Sequence, residues 1–214
     1  MNKFLVKNLY EKHHAKHRPL DFSVLKKDRG ELFSKIIGTG KKILDLGCRD
    51  GALSEYFLKN NKVVGVDVDE IALERAAQKG MKVLKMDVYG DWGELGGGKF
   101  DVIVAGEVLE HLFLPEEVIE KTKGHLEKNG IFIGSVPNAF SLKNRVRLFL
   151  GKKKNTPLSD PTHVNHFSFK ELKFIIKKYF NDVRIIGLGR YHFFAKHFPE
   201  WFAFDLVFVA KNEK

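Results

Sequence analysis

Residues 41–57 read KKILDLGCRDGALSEYF. Lys42-Ile43-Leu44-Asp45-Leu46 is a short apolar run that stops at a turn, and residues 52–59 restart with the pattern of a helix. Gly47 and Gly51 stand between them. A strand, a glycine turn and a helix in that order let a ligand approach the backbone beside a helix N-terminus, where unpaired N–H groups favour polar and anionic groups. The stretch predicts one unit of an α/β sheet with a ligand at its carboxyl edge.

Outward from this unit the pattern repeats. Residues 62–66 (KVVGV), 81–86, 100–105 (FDVIVA) and 130–136 (GIFIGSV) read as further strands. Residues 70–79 read as a helix ended by Gly80, and 108–126 as one or two helices interrupted at Pro115. Short apolar runs separated by helices predict a parallel sheet covered on both faces. The last part differs. Residues 169–180 read as a helix, while 183–187 and 203–210 (AFDLVFVA) read as strands with no helix pattern in the RYHFFAKHFPEWF between them. Two strands joined without a crossover helix should be antiparallel.

The chain has 214 residues, enough for a real core, and reads as a single domain over 1–214. Residues 1–37 read as an N-terminal helical cap broken at Pro19, and residues 138–168 as a basic lid between the fifth strand and the next helix. No apolar run reaches the ~18 residues of a membrane span. The opening MNKFLVKNLYEKHHAKHR is basic and lacks the apolar centre of a signal peptide. A single cysteine, Cys48, excludes an internal disulfide framework and fits a reducing compartment, so a cytoplasmic location is expected. Cys48 reads as a small turn residue rather than a nucleophile, because no matched histidine and oxyanion motif surrounds it. The net charge of +10 fits an acidic, phosphorylated or nucleic-acid partner or an anionic membrane, although a lysine-rich solvated surface explains much of it.

Three acids end three strands. Asp67 follows Asp45 by 22 positions, the spacing at which an acid suits a ribose diol, and Asp87 is placed to accept from an adenine amino group with Val88 beside it. A P-loop would need GxxxxGK[ST], which is absent. A nicotinamide enzyme would normally show GxGxxG and a further substrate domain. Here the turn is D-x-G-x-x-x-G and there is little length to spare.

Asp45-Leu-Gly47-Cys-Arg-Asp-Gly51, Asp67, Asp87 and the EVLEHL after the fourth strand together resemble the class I S-adenosylmethionine-dependent methyltransferases. That resemblance covers roughly residues 40–210, and within the class the chain is similar to the ubiquinone-biosynthesis O-methyltransferases and related small-molecule enzymes. The resemblance implies a Rossmann-like three-layer α/β sandwich with seven strands in the order 3-2-1-4-5-7-6, strand 7 antiparallel. It implies S-adenosylmethionine as cofactor. Asp45, Gly47, Cys48 and Gly51 would surround its amino-acid end, Asp67 and Val68 its ribose, Asp87 and Val88 its adenine, and Glu107 would face it from the fourth strand. One departure stands out: Arg49 occupies the place usually held by a middle glycine.

In EVLEHL, Glu107, Glu110 and His111 stand at i, i+3 and i+4, one face of a helix. Two carboxylates and an imidazole suit Mg²⁺ or another divalent ion. DPTHVNHF offers a fourth ligand, His163 being preferred to His166. The pattern resembles two metal-dependent groups, the ubiquinone-biosynthesis O-methyltransferases and the small-RNA 3′-end 2′-O-methyltransferases. A metal there would lower the pKa of an acceptor hydroxyl. The metal-free alternative makes His111 or His163 the catalytic histidine, with His111 as general base.

Residues 138–159 carry six Lys or Arg and no acid, with Phe140, Leu142, Val146, Phe149 and Leu150 giving an apolar side. They read either as a helix packed over the active site or as a contact for a phosphorylated or lipid-linked acceptor, or for a membrane surface. The aromatic stretch 191–202 would wall the acceptor or seal the core. Tyr10, His13, His14, His17 and Arg18 would cover the cofactor carboxylate or lie exposed on a helix. The expected function is methyl transfer to an oxygen of a small or medium-sized acceptor. The alternatives are an RNA methyltransferase that uses the basic lid for phosphates and a catalytically silent cofactor-binding scaffold.

Overall fold

The structure is a computed structural model that describes Asp21 and residues 25–213. The N-terminal cluster from Tyr10 to Arg18 lies outside the described residues. Seven strands form one sheet: β1 (Lys42–Leu46), β2 (Lys62–Asp67), β3 (Lys82–Lys85), β4 (Phe100–Gly106), β5 (Leu126–Pro137), β6 (Asp182–Leu188) and β7 (Asp205–Lys211). Their order is β3-β2-β1-β4-β5-β7-β6. β1 to β5 pair in parallel, and β7 runs antiparallel to both β5 and β6. This is the seven-stranded arrangement that the resemblance implies.

Both faces of the sheet are buried, and the period-2 alternation of the strands assigns their side chains. Leu44, Leu46, Ile103 and Ala105 join Phe132, Leu172 and Phe208 on one side. Ile43, Val102 and Val104 join Phe33, Phe57 and Leu73 on the other. The first side is covered by α4 (Pro115–His125) and α6 (Phe169–Lys177), through Val118, Ile119, Leu172 and Ile176. The second is covered by α1 (Lys26–Ile37), α2 (Glu55–Leu58) and α3 (Glu70–Gln78). Fully burying each such Leu, Ile or Phe contributes about 1.5–3 kcal/mol. Asp69 caps α3 by accepting from the Ala72 N–H at 3.1 Å, and a Ser168–Glu171 capping box starts α6.

Because β1 lies between β2 and β4, the chain winds outward one way through β2 and β3 and the other way through β4 and β5. The crevice at the carboxyl ends of β1 and β4 is therefore the switch point at which open α/β sheets bind ligands. At the opposite, amino-terminal edge, a groove of about 560 Å³ lies between Leu32, Lys35 and Ile36 of α1 and the β5–β7–β6 face.

Three local expectations are corrected. The segment after β4 is no helical face: Glu107 takes a left-handed φ of 59°, Leu109–His111 is a single 3₁₀ turn, and the helix begins only at Pro115, whose fixed φ suits a first helical position. The stretch between β6 and β7 holds two short helices, α7 (His192–His197) and α8 (Pro199–Phe202). Their aromatic runs hide a helical period, and Pro199 starts the second. The helix after the glycine turn shrinks to α2, because residues 51–54 are spent in turns. Between β5 and α6 the lid contains α5 (Leu142–Phe149) and a 3₁₀ turn at Pro157–Ser159. Among the described residues no helix is long and apolar enough to cross a membrane.

Candidate active site

The turn after β1 is built from left-handed residues. Gly47, Arg49 and Gly51 have φ of 63°, 50° and 72°. Gly47 is needed twice over, since a Cβ there would sit 2.8 Å from a Val108 methyl. Arg49, where the resemblance expects a glycine, takes a left-handed backbone, and its N–H donates to Asp67 Oδ2 at 2.9 Å. Asp67 Oδ1 accepts from the Asp69 N–H at 2.9 Å. The carboxylate at the end of β2 is thus locked by backbone donors on both oxygens, with lone-pair directions left for a diol. Burial raises its pKa against the lowering effect of those donors.

Asp45 ends β1 almost wholly buried and accepts a hydrogen bond from the Ser54 hydroxyl. Burial pushes its carboxyl up to about 7; the Ser54 bond opposes the shift and the neighbouring Asp67 charge adds to it. Cys48, expected among the cofactor contacts, buries its thiol: Gly65 of β2 leaves the space it fills. Its N–H donates to Val66 O and its carbonyl accepts from the Gly51 N–H. Burial, then the charges of Asp45 and Asp67, hold the thiol protonated, which disfavours a nucleophilic role. Val68 and Asp87 are exposed at the ends of β2 and β3, and Val88 is half-buried. Asp87 Oδ1 accepts from the Tyr89 N–H at 2.9 Å, and the Trp92 indole donates to Val88 O at 2.9 Å, which pins the loop.

The left-handed turn at Glu107 sends it away from Glu110. Arg29 of α1 lies 2.9 Å from Glu107 Oε1 and 3.5 Å from Asp205 Oδ2, and it donates to the Ser135 hydroxyl at 2.6 Å. Ser135 in turn donates to Glu107 Oε1 at 3.2 Å. Arg29 and Asp205 are buried, and Glu107 nearly so. Burial drives the Asp205 carboxyl far up, the Glu107 charge adds to this, and Arg29 opposes it. Sequence reading missed Arg29, Ser135 and Asp205. For Arg29 a signal existed: residues 29, 33 and 37 share one helical stripe, and the other two are the buried Phe33 and Ile37.

Glu110, His111 and His163 come together, each offering a ligand atom within 4.8 Å of the others. Glu107 is not in this group. The lid builds the cluster: the N–H groups of Val164 and Asn165 both donate to the Glu110 carbonyl at 2.9 Å, and the Asn165 amide donates to Leu112 O. Asp160 shapes the loop by accepting from the Thr162 N–H at 2.9 Å and the Thr162 hydroxyl at 2.6 Å. His111 Nδ1 lies 2.9 Å from Thr162 O, and His163 Nδ1 lies 3.1 Å from Pro157 O. A ring nitrogen facing a carbonyl carries the proton, and the other nitrogen of each ring faces a carboxylate, Asp160 Oδ2 lying 3.6 Å from His163 Nε2. That is the pattern of metal-ligating histidines, oriented through the other nitrogen. The two rings meet edge to face at 4.9 Å, and His111 Nε2 stands 4.0 Å from Glu110 Oε1. Both Nε2 atoms and both Glu110 oxygens are buried. His166 is half-buried and outside the group, with its pKa lowered by burial and then by Lys153.

A family model described as "Methyltransferase domain" matches residues 14–179. A curated relative, the ubiquinone biosynthesis O-methyltransferase of Pasteurella multocida, is 32% identical over 117 residues, covering 47% of this chain and 48% of the relative. The chain aligns with about half the length of the curated relatives it matches. Among solved structures, a methyltransferase from Thermotoga maritima described as a possible histamine N-methyltransferase superposes with a TM-score of 0.65 at 19% identity, covering 96% of this chain and 95% of that one. The small RNA methyltransferase HEN1 superposes with a TM-score of 0.69 at 19% identity, covering 92% of this chain and 27% of that one. These structural likenesses show the fold.

Proposed function

The chain belongs to the class I S-adenosylmethionine-dependent methyltransferases, and from that premise we propose that it methylates a hydroxyl oxygen of a small or medium-sized acceptor, with Glu110, His111 and His163 holding a divalent cation. The observation that carries this reading is the meeting of Glu110, His111 and His163, each offering a ligand atom within 4.8 Å of the others, with both imidazoles held through Nδ1 by backbone carbonyls. One buried carboxylate and two imidazoles fit Zn²⁺ or Mn²⁺ better than Mg²⁺, which takes oxygen ligands. Bound there, such an ion would act as a Lewis acid on an oxygen ligand.

The cofactor's sulfonium supplies an already activated methyl group. The residues of this chain bind, orient and exclude water. Asp67, clamped by the Arg49 and Asp69 N–H groups, takes the ribose hydroxyls, and Val68 lies beside it. Asp87 and Val88 take the adenine edge. The Gly47–Gly51 turn, with Asp45 behind it, receives the amino-acid end. These residues line the β1–β4 switch point, and the lid brings His163 to the same edge of the sheet. Good alignment of acceptor oxygen, methyl and sulfur is a large share of such catalysis. The curated relatives named for ubiquinone biosynthesis support an oxygen acceptor.

The rival acceptor is RNA, supported by the six cations and absent acids of residues 138–159. Its binding would fall steeply with salt. The test is transfer of a radiolabelled methyl group to quinol, sugar, lipid and RNA pools, with and without a chelator. Chelator-sensitive labelling of a hydroxyl compound is the expected result. Labelling of nitrogen or carbon acceptors, unaffected by the chelator, would overturn the reading.

A further inference from the structure

Two surfaces that the candidate site does not use adjoin at the lid. α5 is eight residues long and leaves Leu142, Val146 and Phe149 exposed, with Leu150 exposed just after it. These positions fall at i, i+4, i+7 and i+8, one stripe of a helix. Phe149 is 90% exposed. Lys143 and Arg145 flank the stripe, and Lys152, Lys153 and Lys154 follow it, all exposed. The adjoining α7–α8 corner exposes Phe194, Phe198, Trp201 and Phe202. The rings of Phe194 and Phe202 lie 5.3 Å apart, and those of Phe198 and Phe202 6.5 Å apart. The two parts are one platform. Arg145 lies over the Trp201 ring at 4.7 Å and pairs with Glu200 at 3.7 Å. From beneath, the Asn138 amide reaches the carbonyls of Pro199, Glu200 and Ala203.

An apolar surface of this extent marks a contact face, and charge decides the partner. A second copy of the chain would bring one cationic stripe against another, which repels. RNA would satisfy the cations but leave the aliphatic stripe of α5 in water. An anionic bilayer satisfies both sets: lysine and arginine meet the lipid headgroups, while Phe149, Leu150 and the α8 aromatics enter the acyl boundary. We propose that α5 and the α7–α8 corner together form a docking surface for an anionic phospholipid membrane. The proposal holds whichever atom accepts the methyl group.

Co-sedimentation of the full chain with vesicles tests it, comparing phosphatidylcholine alone with phosphatidylcholine containing phosphatidylglycerol. The chain should partition to the anionic vesicles, less so at high salt, and remain in solution with the neutral ones. The double variant Phe149→Ser, Leu150→Ser should lose roughly tenfold or more in partitioning, since it withdraws two large apolar side chains. The triple variant Lys152→Glu, Lys153→Glu, Lys154→Glu should lose at least as much. These side chains are exposed, so circular dichroism should show both variants folded; if the serine variant fails to fold, the lysine variant alone decides. A parent chain that stays in solution with anionic vesicles overturns the proposal. So does a folded serine variant that binds as well as the parent, which would mean charge adsorption only. Binding to single-stranded RNA at the same salt, with none to vesicles, would assign the surface to nucleic acid instead.

Discussion

Asp45 shows how much one residue type at one position conveys. An acid inside an apolar run has no reason to be there unless a partner or ligand needs it, and this one is buried and accepts from the Ser54 hydroxyl. Its carboxyl titrates at about 7 in the fold, against 3.8 for an ordinary aspartate. A raised carboxyl pKa makes the folded state hold its proton where the unfolded chain has lost it. The resulting destabilisation is absent below pH ~4, grows as pH rises toward 7 and is complete above it. Asp45→Asn should therefore gain stability relative to the parent across that window, by on the order of 4 kcal/mol at most. Denaturant unfolding at pH 4 and pH 8 checks this; an unchanged difference would mean that Asp45 is solvated. Asp67 was equally legible, because its spacing from Asp45 carries the meaning. Asp67→Ala should weaken S-adenosylmethionine binding by about 2 kcal/mol, read by calorimetry. Unchanged affinity would move the ribose contact elsewhere. Asp205 was not legible in the same way. It opens a strand, and only the antiparallel direction of β7 brings that opening to the carboxyl edge beside Glu107.

At the scale of elements, the strands came through the sequence well because their period-2 runs are bounded by glycines and acids. The segments that build the site did not. Glu107, Glu110 and His111 have the spacing of a helical face, yet the left-handed turn at Glu107 sends one carboxylate to Arg29 and leaves the other with the histidines. Nothing local in EVLEHL signals that turn, because the pull comes from Arg29, 78 positions earlier in the chain. The helices α7 and α8 were hidden because each is short and Pro199 separates them within a run of aromatics. Their hold on the lid rests on Asn138, whose amide nitrogen lies 3.1–3.2 Å from three carbonyls. Asn138→Ala leaves those carbonyls buried and should cost about 1–3 kcal/mol. Hydrogen exchange should then rise across residues 191–204 while β1 to β4 keep their protection. A uniform rise would show instead that Asn138 supports the whole domain.

Over the whole molecule, Arg29 ties the helix before the sheet to the ends of β4, β5 and β7 through Glu107, Ser135 and Asp205. Removing one partner of a buried charge group typically costs 3–5 kcal/mol, because the remaining charges stay in the interior. Arg29→Met should cost about that much, and adding Glu107→Gln should recover part of it in a double-mutant cycle. Strictly additive losses would show that the two do not interact. The strand order, by contrast, followed from the family resemblance, which rests on the strand-end acids and the glycine turn rather than on any single strand. The central proposal is that Glu110, His111 and His163 hold a metal that the proposed O-methylation needs. The most direct measurement is anomalous scattering from Mn²⁺-soaked crystals of the parent and of His163→Ala. The account predicts one peak in the parent within ~2.0–2.4 Å of Glu110, His111 and His163, lost in the variant. No peak at these side chains, together with turnover that resists a chelator, would contradict it.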